Sequence, residues 1–304
     1  MKKLIILTDK NGWHCKQLKT SAKKKGFDVY IEDLKNLSLH IENNDHHVID
    51  SKNQRIAFSN VFIRYVPGGS LEEIVHYLNI LRSLRMNGCN VINTATQIEK
   101  TVDKSLTSLI LRDNNINTPD TWVFRGDDQL YEKVDKLLKK NILIYKPLFG
   151  SQGENIVKIK NIDDLKKIDN STNIYYLQKF IETKPSHDYR VLVISNTKNR
   201  KIYSMARYGK TFVNNVSAGG KCTPIALGKE IIQKSIQVSE LFKIPFCGID
   251  LIKEKEKIYV IEINSVPAWR GLQSITQDNI SESITDILFK SIEQKKQIQS
   301  KNRK

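Results

Sequence analysis

Strand and helix signals alternate from the start of this chain, and that rhythm restricts it to an α/β architecture. Leu4–Leu7 reads as a strand, Lys16–Lys25 as a basic helix stopped by Gly26, and Asp28–Ile31 as a second strand. Val61–Val66 reads as a strand followed by the turn Pro67-Gly68-Gly69. Ser70-Leu71-Glu72-Glu73 then forms a capping box and opens a helix through Leu71, Ile74, Val75, Leu78 and Leu81. Gly88 ends that helix, and Cys89–Ile92 is the next strand. Such a βαβ pattern fits a small open α/β domain up to Ala95. It lacks GxGxxG, so no dinucleotide fingerprint is present.

A second unit opens at a capping box read at Thr96-Gln97-Ile98-Glu99. One helix there carries Ile98, Val102, Leu106, Leu109 and Ile110 and ends near Asn114-Asn115. Mixed α/β follows: a strand at Trp122–Phe124, a helix at Asp128–Lys140, a strand at Ile142–Lys146, the loop Phe149–Gly153 and a strand at Ile156–Ile159. A third unit runs from about Tyr175 to a hairpin near the C-terminus. The expected divisions are 1–95, 96–177, 178–296 and a basic, disordered tail at 297–304.

The 304 residues suffice for a sizeable core, and 39% hydrophobic with 27% charged residues is a globular composition. No apolar run approaches the ~20 residues of a membrane span, so no membrane partner is expected. Cys15, Cys89, Cys222 and Cys247 are far apart and form no CxxC, which argues against a zinc knuckle or a disulfide scaffold. A reduced, cytoplasmic setting follows. The net charge of +16 is spread along the chain, mostly as Lys. Anionic partners such as nucleotides and phosphorylated cofactors fit it, and so does a solvated lysine surface.

The C-terminal hairpin carries the clearest chemistry. Cys247-Gly-Ile-Asp250-Leu-Ile and Ile258-Tyr-Val-Ile-Glu262-Ile-Asn264 read as strands joined by the charged turn Lys253–Lys257. Glu262 and Asn264 share one strand face, and the hairpin brings Asp250 opposite. Two carboxylates and an amide oxygen suit a hard cation such as Mg²⁺; the alternative is the exposed polar end of an amphipathic hairpin. Glycines in the 149–153 loop let backbone N–H groups approach phosphate oxygens, although a plain hairpin turn is the commoner reading of the loop taken alone. Lys146 stands just before it on an apolar strand, and Lys104 lies on an apolar helix. There is no P-loop, HExxH or GxSxG, and His46-His47 reads as a loop pair.

These pieces, in order, resemble a known family. They are Lys104, Lys146-Pro-Leu-Phe-Gly150-Ser151-Gln152-Gly153, Gln178-Lys179-Phe180-Ile181, Asp188-Tyr-Arg190, Arg207, Asn215-Val-Ser-Ala-Gly219-Gly220, Gly248-Ile-Asp250-Leu and Glu262-Ile-Asn264-Ser-Val-Pro267. Together they are similar to the ATP-grasp superfamily, and within it to α-L-glutamate ligases related to the ribosomal protein S6 modification enzyme. The resemblance implies an ATP-grasp fold of two lobes behind an N-terminal pre-ATP-grasp domain. It also implies that Lys104 and Lys146 contact ATP phosphates and that Gly150, Ser151, Gln152 and Gly153 fold over them. Gln178, Lys179, Phe180 and Ile181 would face adenine, with Asp188 in the nucleotide set. Asp250, Glu262 and Asn264 would hold one or two Mg²⁺ or Mn²⁺ ions. Arg190 and Arg207 would bind phosphate oxygens, and Asn215 with Gly219 and Gly220 would form the acceptor side.

The implied reaction joins the amine of L-glutamate to an anionic acceptor carboxylate through an acyl phosphate, releasing ADP and phosphate. Pro267-Ala-Trp269-Arg270-Gly-Leu-Gln, with Arg64–Ser70 and Thr101-Val-Asp-Lys104, is most similar to ligases that act on tetrahydromethanopterin. Trp269 would either stack on a pterin or aryl group or serve as a core or lid aromatic, and Arg270 would pair with an acidic tail. Coenzyme F420 and protein glutamylation are alternative acceptors. An alternative of another class is a nucleotide-binding, RNA-associated module without catalysis, which the acidic metal set disfavours. The resemblance further implies a homo-oligomer.

Overall fold

A computed structural model of the chain describes residues 2–150, 155–209, 211–214 and 219–289. The N-terminal domain comprises β1 (Lys2–Leu7), α1 (Trp13–Lys24), β2 (Phe27–Glu32), the hairpin β3 (Ser38–Glu42) and β4 (Asp45–Ile49), β5 (Asn60–Ile63), α2 (Leu71–Met86) and β6 (Asn90–Ile92). The strands β2-β1-β5-β6 form a parallel sheet in that order. Consecutive apolar residues in β1 reflect burial on both sides. Leu4 and Ile6 pack with α1, whereas Ile5 and Leu7 pack with α2. The Ser70 capping box forms as expected, with bonds from Glu73 N–H to Ser70 Oγ and from Ser70 N–H to the Glu73 carboxylate. The β3–β4 hairpin departs from expectation: His46 and His47 lie in β4, not in a loop.

The helix expected after Ala95 is two helices, α3 (Ala95–Val102) and α4 (Lys104–Asp113). Its capping box is Thr94 with Gln97, two residues before the expected one. Asp103 breaks the run because its side chain accepts from the N–H groups of Ser105 and Leu106 at 2.8 and 3.0 Å. A short acidic side chain competes with helical backbone bonding in this way. The break leaves Val102 and Leu109 exposed, although both fit the apolar period.

A second sheet contains β7 (Thr121–Arg125), β8 (Leu143–Lys146), β9 (Val157–Ile159) and β10 (Ile174–Lys179), with α5 (Leu130–Leu138) and α6 (Ile162–Lys166) between its strands. Its order is β7-β10-β8-β9. Leu143, Tyr145, Ile159 and Leu177 face α5 and α6. The strand near Tyr175, read from sequence as opening the third unit, is the centre of this small sheet, paired with both β7 and β8.

The large sheet has the order β13-β12-β11-β14-β15. Its strands are β11 (His187–Ser195), β12 (Arg200–Tyr208), β13 (Lys221–Pro224), β14 (Phe246–Glu254) and β15 (Lys257–Asn264); α7 (Lys229–Leu241), α8 (Arg270–Gln273) and α9 (Ile280–Leu288) complete the elements. One face packs against α7 and α4, around Val191, Val193, Val238 and Leu111. The other face is divided. Leu192, Ile194, Met205 and Phe246 share a core with β1, α1, α8 and α9, while the same face further along carries charge. Among the described residues, no helix is long and apolar enough to cross a membrane.

Trp269 lies at the centre of the shared core, which selects the core reading over the stacking one. It is 0% exposed, so it has no ring face free for an acceptor. His14 and Phe246 contact it edge-on at 4.6 and 5.9 Å between ring centroids, and the Arg64 guanidinium lies 4.7 Å from its ring centre. Asn93 adds a polar link, donating to the carbonyls of Phe246 and Ser265 at 2.7 and 2.6 Å. Trp269→Ala should therefore cost about 3–5 kcal/mol in urea unfolding. A loss below ~1 kcal/mol would show that this residue does not anchor the joint core.

Candidate active site

The charged half of the large sheet follows from strand register. Asp188 and Arg190 are two apart on β11 and so share a face. Arg207 on β12 lies opposite Asp188, Asp250 on β14 opposite Arg190, and Glu262 on β15 opposite Asp250. Gly248 marks the change from apolar to charged: a Cβ there would come within 3.0 Å of Pro267 Cβ and 3.3 Å of Arg190 Cδ. A β-bulge beside Asp250 leaves Ile261 without a ladder partner, so Ile261 and Glu262 both line the cleft while Val260 and Ile263 remain in the core. Bulges re-aim side chains in this manner.

Four of these groups form one buried ion network. Arg190 binds both oxygens of Asp250, through Nε to Oδ1 and through Nη2 to Oδ2 at 2.7 Å. Arg207 holds Asp188 at 2.6 and 2.9 Å and also reaches Asp250 Oδ2 at 2.8 Å. Burial alone would raise the Asp250 pKa; the two guanidinium groups override it and hold the carboxyl at about 2. Arg190 and Arg207, expected to bind phosphate oxygens, are thus both already engaged by carboxylates.

Across the cleft, the small sheet presents Lys146 and Gln178 on the face opposite α5 and α6. Lys146 Nζ donates to Gln178 Oε1 at 2.8 Å, and Gln178 Nε2 donates to Tyr176 Oη and Thr121 Oγ1 at 3.0 and 3.2 Å. Tyr176 Oη is 2.8 Å from Ser108 Oγ on α4, tying the small sheet to the helix. Lys104, on the first turn of α4, donates to the carbonyls of Leu148 and Gly150 at 3.3 and 3.0 Å. The cleft between the sheets is lined by Lys104, Lys146, Gly150, Gln178, Lys179, Phe180, Ile181, Asp188, Asp250 and Glu262, so these expected residues do converge. In the 179–181 segment, the N–H groups of Lys179 and Phe180 are used by the carbonyls of Asp120 and Ile142. Ile144, Ile156, Ile252 and Ile261 give the cleft an apolar part, as a planar base requires.

Ser151, Gln152, Gly153 and Asn215 lie outside the described residues. Gly219 adopts a φ of +85°, which favours glycine, and with Gly220 leads into β13 beside Arg207. Arg270 is exposed and, with Trp269, sits on the N-terminal-domain side rather than in the cleft wall. Its N–H and that of Trp269 donate to His14 Nε2 at 3.3 and 3.1 Å. Burial, with Arg64 and Arg270 nearby, lowers the His14 pKa to about 3, which keeps that nitrogen an acceptor. Sequence reasoning missed Asn214, a cleft residue whose Oδ1 accepts from Gly209 N–H and Ser186 Oγ, both at 3.0 Å. It also missed Lys158, whose Nζ lies 3.6 Å from the Phe180 ring centre. Neither carries a motif.

The donor set fits a hard divalent cation. Glu262 makes no hydrogen bond or ion pair with a described residue and faces the two lysines. Asp250 receives three contacts from the arginines, and an ionised carboxylate has about four acceptor positions, so one remains. Asn264 Oδ1 accepts from Val266 N–H at 2.8 Å and keeps a second lone pair. When bound between these oxygens and a nucleotide, such an ion supplies neutralisation of phosphate charge.

Burial lowers the Lys146 pKa to about 8, against an opposing pull from Glu262. An anionic nucleotide favours the protonated amine. Affinity for a non-hydrolysable ATP analogue is therefore expected to be flat below pH 8 and to weaken above it, by up to ~10-fold per pH unit. Titration calorimetry across this range should show the slope in the wild type and most of it lost in Lys146→Gln.

Residues 1–98 match the RimK PreATP-grasp domain and residues 101–288 match the RimK-like ATP-grasp domain. The tetrahydromethanopterin:alpha-L-glutamate ligase of Methanocaldococcus jannaschii is 28% identical over 66% of this chain and 71% of its own length. The protein of that name from Methanococcus maripaludis is 24% identical over 92% and 96%, respectively. A solved RiPP-associated ATP-grasp ligase from Chryseobacterium gregarium, in complex with ADP and a leader and core peptide, superposes with a TM-score of 0.71 at 19% identity, covering 95% of this chain and 96% of its own. The fold, the cleft and the two matched domains lead to one conclusion: the chain belongs to the RimK-like ATP-grasp family.

Proposed function

We propose that this protein is an ATP-dependent ligase that joins the amine of L-glutamate to the carboxylate of a small anionic acceptor. The observation that carries this reading is the cleft itself, with Lys104 and Lys146 on one wall facing Asp250 and Glu262 on the other. A basic wall for phosphates opposite an acidic wall for a cation is what phosphoryl transfer from ATP needs. The acceptor's carboxylate oxygen attacks the γ-phosphorus and the bond to the ADP oxygen breaks, giving an acyl phosphate. The glutamate nitrogen then attacks the acyl carbon, phosphate leaves, and the nitrogen loses a proton. Lys104 and Lys146 hold phosphate oxygens through both steps. Arg190 and Arg207, fixed by Asp188 and Asp250, supply preorganised positive charge beside the transferring group. No protein nucleophile takes part.

The acceptor we favour is tetrahydromethanopterin, a reading supported by the names of the two archaeal relatives and by the Pro267-Ala-Trp269-Arg270 sequence. With Trp269 buried, recognition of an acidic tail falls to Arg270, whose guanidinium lies 5.9 Å from the Trp13 ring centre, and to Arg64, which donates to the Pro267 carbonyl at 2.7 Å.

The purified protein incubated with ATP, Mg²⁺, glutamate and a panel of pterin, F420 and peptide carboxylates should release ADP and add one glutamate mass to the pterin. AMP release would overturn the acyl phosphate, and nucleotide binding without turnover on any acceptor would overturn the ligase. Glu262→Gln should lower kcat at least ~100-fold with an unchanged melting midpoint; wild-type rates would refute its role. Arg270→Ala should raise the acceptor KM while leaving the ATP KM unchanged, and equal KM values for the acceptor would remove Arg270 from recognition.

A further inference from the structure

The β3–β4 hairpin concentrates polar chemistry that the ligase reading does not use. Its turn, Asn43-Asn44, has both residues at positive φ, 51° and 59°, as a tight two-residue hairpin turn requires. That turn pairs His40 with His47 and Glu42 with Asp45. Alternation then puts His40, Glu42, Asp45 and His47 on one face of the hairpin. The opposite face is accounted for: Leu39 and Val48 pack towards α2, and His46 Nδ1 lies 2.9 Å from Ser83 Oγ. His46 is therefore a docking residue.

No ring nitrogen of His40 or His47 makes a hydrogen bond with a described residue. Their rings lie 5.5 Å apart, and one donor atom from each of His40, Glu42 and His47 lies within 4.8 Å of the others. His47 has a carboxylate near each ring nitrogen, beyond hydrogen-bonding distance. Its Nε2 is 4.0 Å from Glu42 Oε1, and its Nδ1, buried and without a partner, is 3.8 Å from Asp45 Oδ2. Asp45 is in turn held by Arg55 at 3.1 Å. A carboxylate behind the second nitrogen of a histidine is the usual support of a metal-bound imidazole.

We infer that the outer face of this hairpin binds a borderline transition-metal ion, Zn²⁺ above all, through His40, His47 and Glu42, with Asp45 orienting His47. Two imidazoles and one carboxylate are a zinc ligand set and a poor one for Mg²⁺ or Ca²⁺. A tetrahedral ion requires donors closer than they stand here, roughly 3.3 Å apart given bonds near 2.0–2.2 Å. Glu42 is exposed and its rotation, with small χ2 adjustments of the two imidazoles, supplies the difference. The hairpin packs on α2, on the side of the N-terminal sheet opposite α1, and none of its residues lines the nucleotide cleft. The ion is therefore structural, clamping two strands that belong to no larger sheet.

The test uses the untagged full-length chain with excess Mg²⁺, so that the carboxylates of the nucleotide cleft do not compete. Calorimetry with Zn²⁺ should show one equivalent bound, and Co²⁺ should give the visible d–d absorption of a tetrahedral nitrogen- and oxygen-bound site. His40→Ala and His47→Ala should each weaken Zn²⁺ binding by more than ~100-fold, and Asp45→Asn by ~10–100-fold. His46→Ala should leave binding unchanged, and circular dichroism should show all four variants folded. Absence of stoichiometric Zn²⁺ binding, or binding unaltered in the His40→Ala/His47→Ala double variant, overturns the proposal. Weaker binding in His46→Ala equal to that in His47→Ala also overturns it, since it assigns the loss to the hairpin's docking rather than to its ligands.

Discussion

Asp250 and its two guanidinium partners are what the rest of the cleft depends on. An ionised carboxylate this deeply buried is unfavourable by several kcal/mol unless it is compensated, and here Arg190 and Arg207 compensate it from two neighbouring strands. Asp188 then balances Arg207. Removing any one member leaves an uncompensated charge in a site that water reaches poorly. The network therefore fixes the relative positions of β12, β11 and β14 more stringently than ladder hydrogen bonds alone, and it keeps Asp250 ionised at every physiological pH. Glu262, by contrast, has no such ties among the described residues.

Much of this was legible in the sequence where the signal is local. The Ser70 capping box, the hairpin that carries Asp250 and Glu262, and Lys146 just before a glycine loop all depend on residues close in sequence; the register that sets Asp250 opposite Glu262 comes only from the structure, which brings the described members together. The small sheet's central strand was misassigned because strand pairing is non-local: nothing within Ile174–Lys179 says that it pairs with residues ~30 and ~50 positions earlier. Asp103 was overlooked because the apolar period continues through it, and only its side-chain bonds reveal the break.

Trp269 and the β3–β4 hairpin illustrate two different limits. Pro267-Ala-Trp-Arg-Gly has the composition of an exposed loop, and the residues that bury Trp269 come from α1, the segment just after β5, and β14, far away in the chain. The hairpin has the opposite difficulty. Asp45-His46-His47 lacks an apolar alternation, because His46 joins Leu39 and Val48 on the docking face and bonds Ser83 and Asn87 of α2 and its C-terminal end. The bulge at Ile261 is invisible for a third reason: Ile258-Tyr-Val-Ile-Glu-Ile-Asn alternates regularly enough to read as an undistorted strand, and only the pairing with β14 exposes the extra residue.

The core around Trp269 has a mechanical consequence. It makes the N-terminal domain and the large sheet a single block, with α1, α8 and α9 sharing one apolar interior. The small sheet joins that block through only two chain crossings, near Asn117–Asp120 and Phe180–Ser186. The first is pinned by the bond from Val260 N–H to the Asn117 carbonyl. The width of the nucleotide cleft is therefore set by how the small sheet sits on those two crossings and on the Tyr176–Ser108 contact. The two lysines of the cleft therefore belong to different bodies, Lys146 to the small sheet and Lys104 to α4 against the large sheet, and the Tyr176–Ser108 contact bridges them.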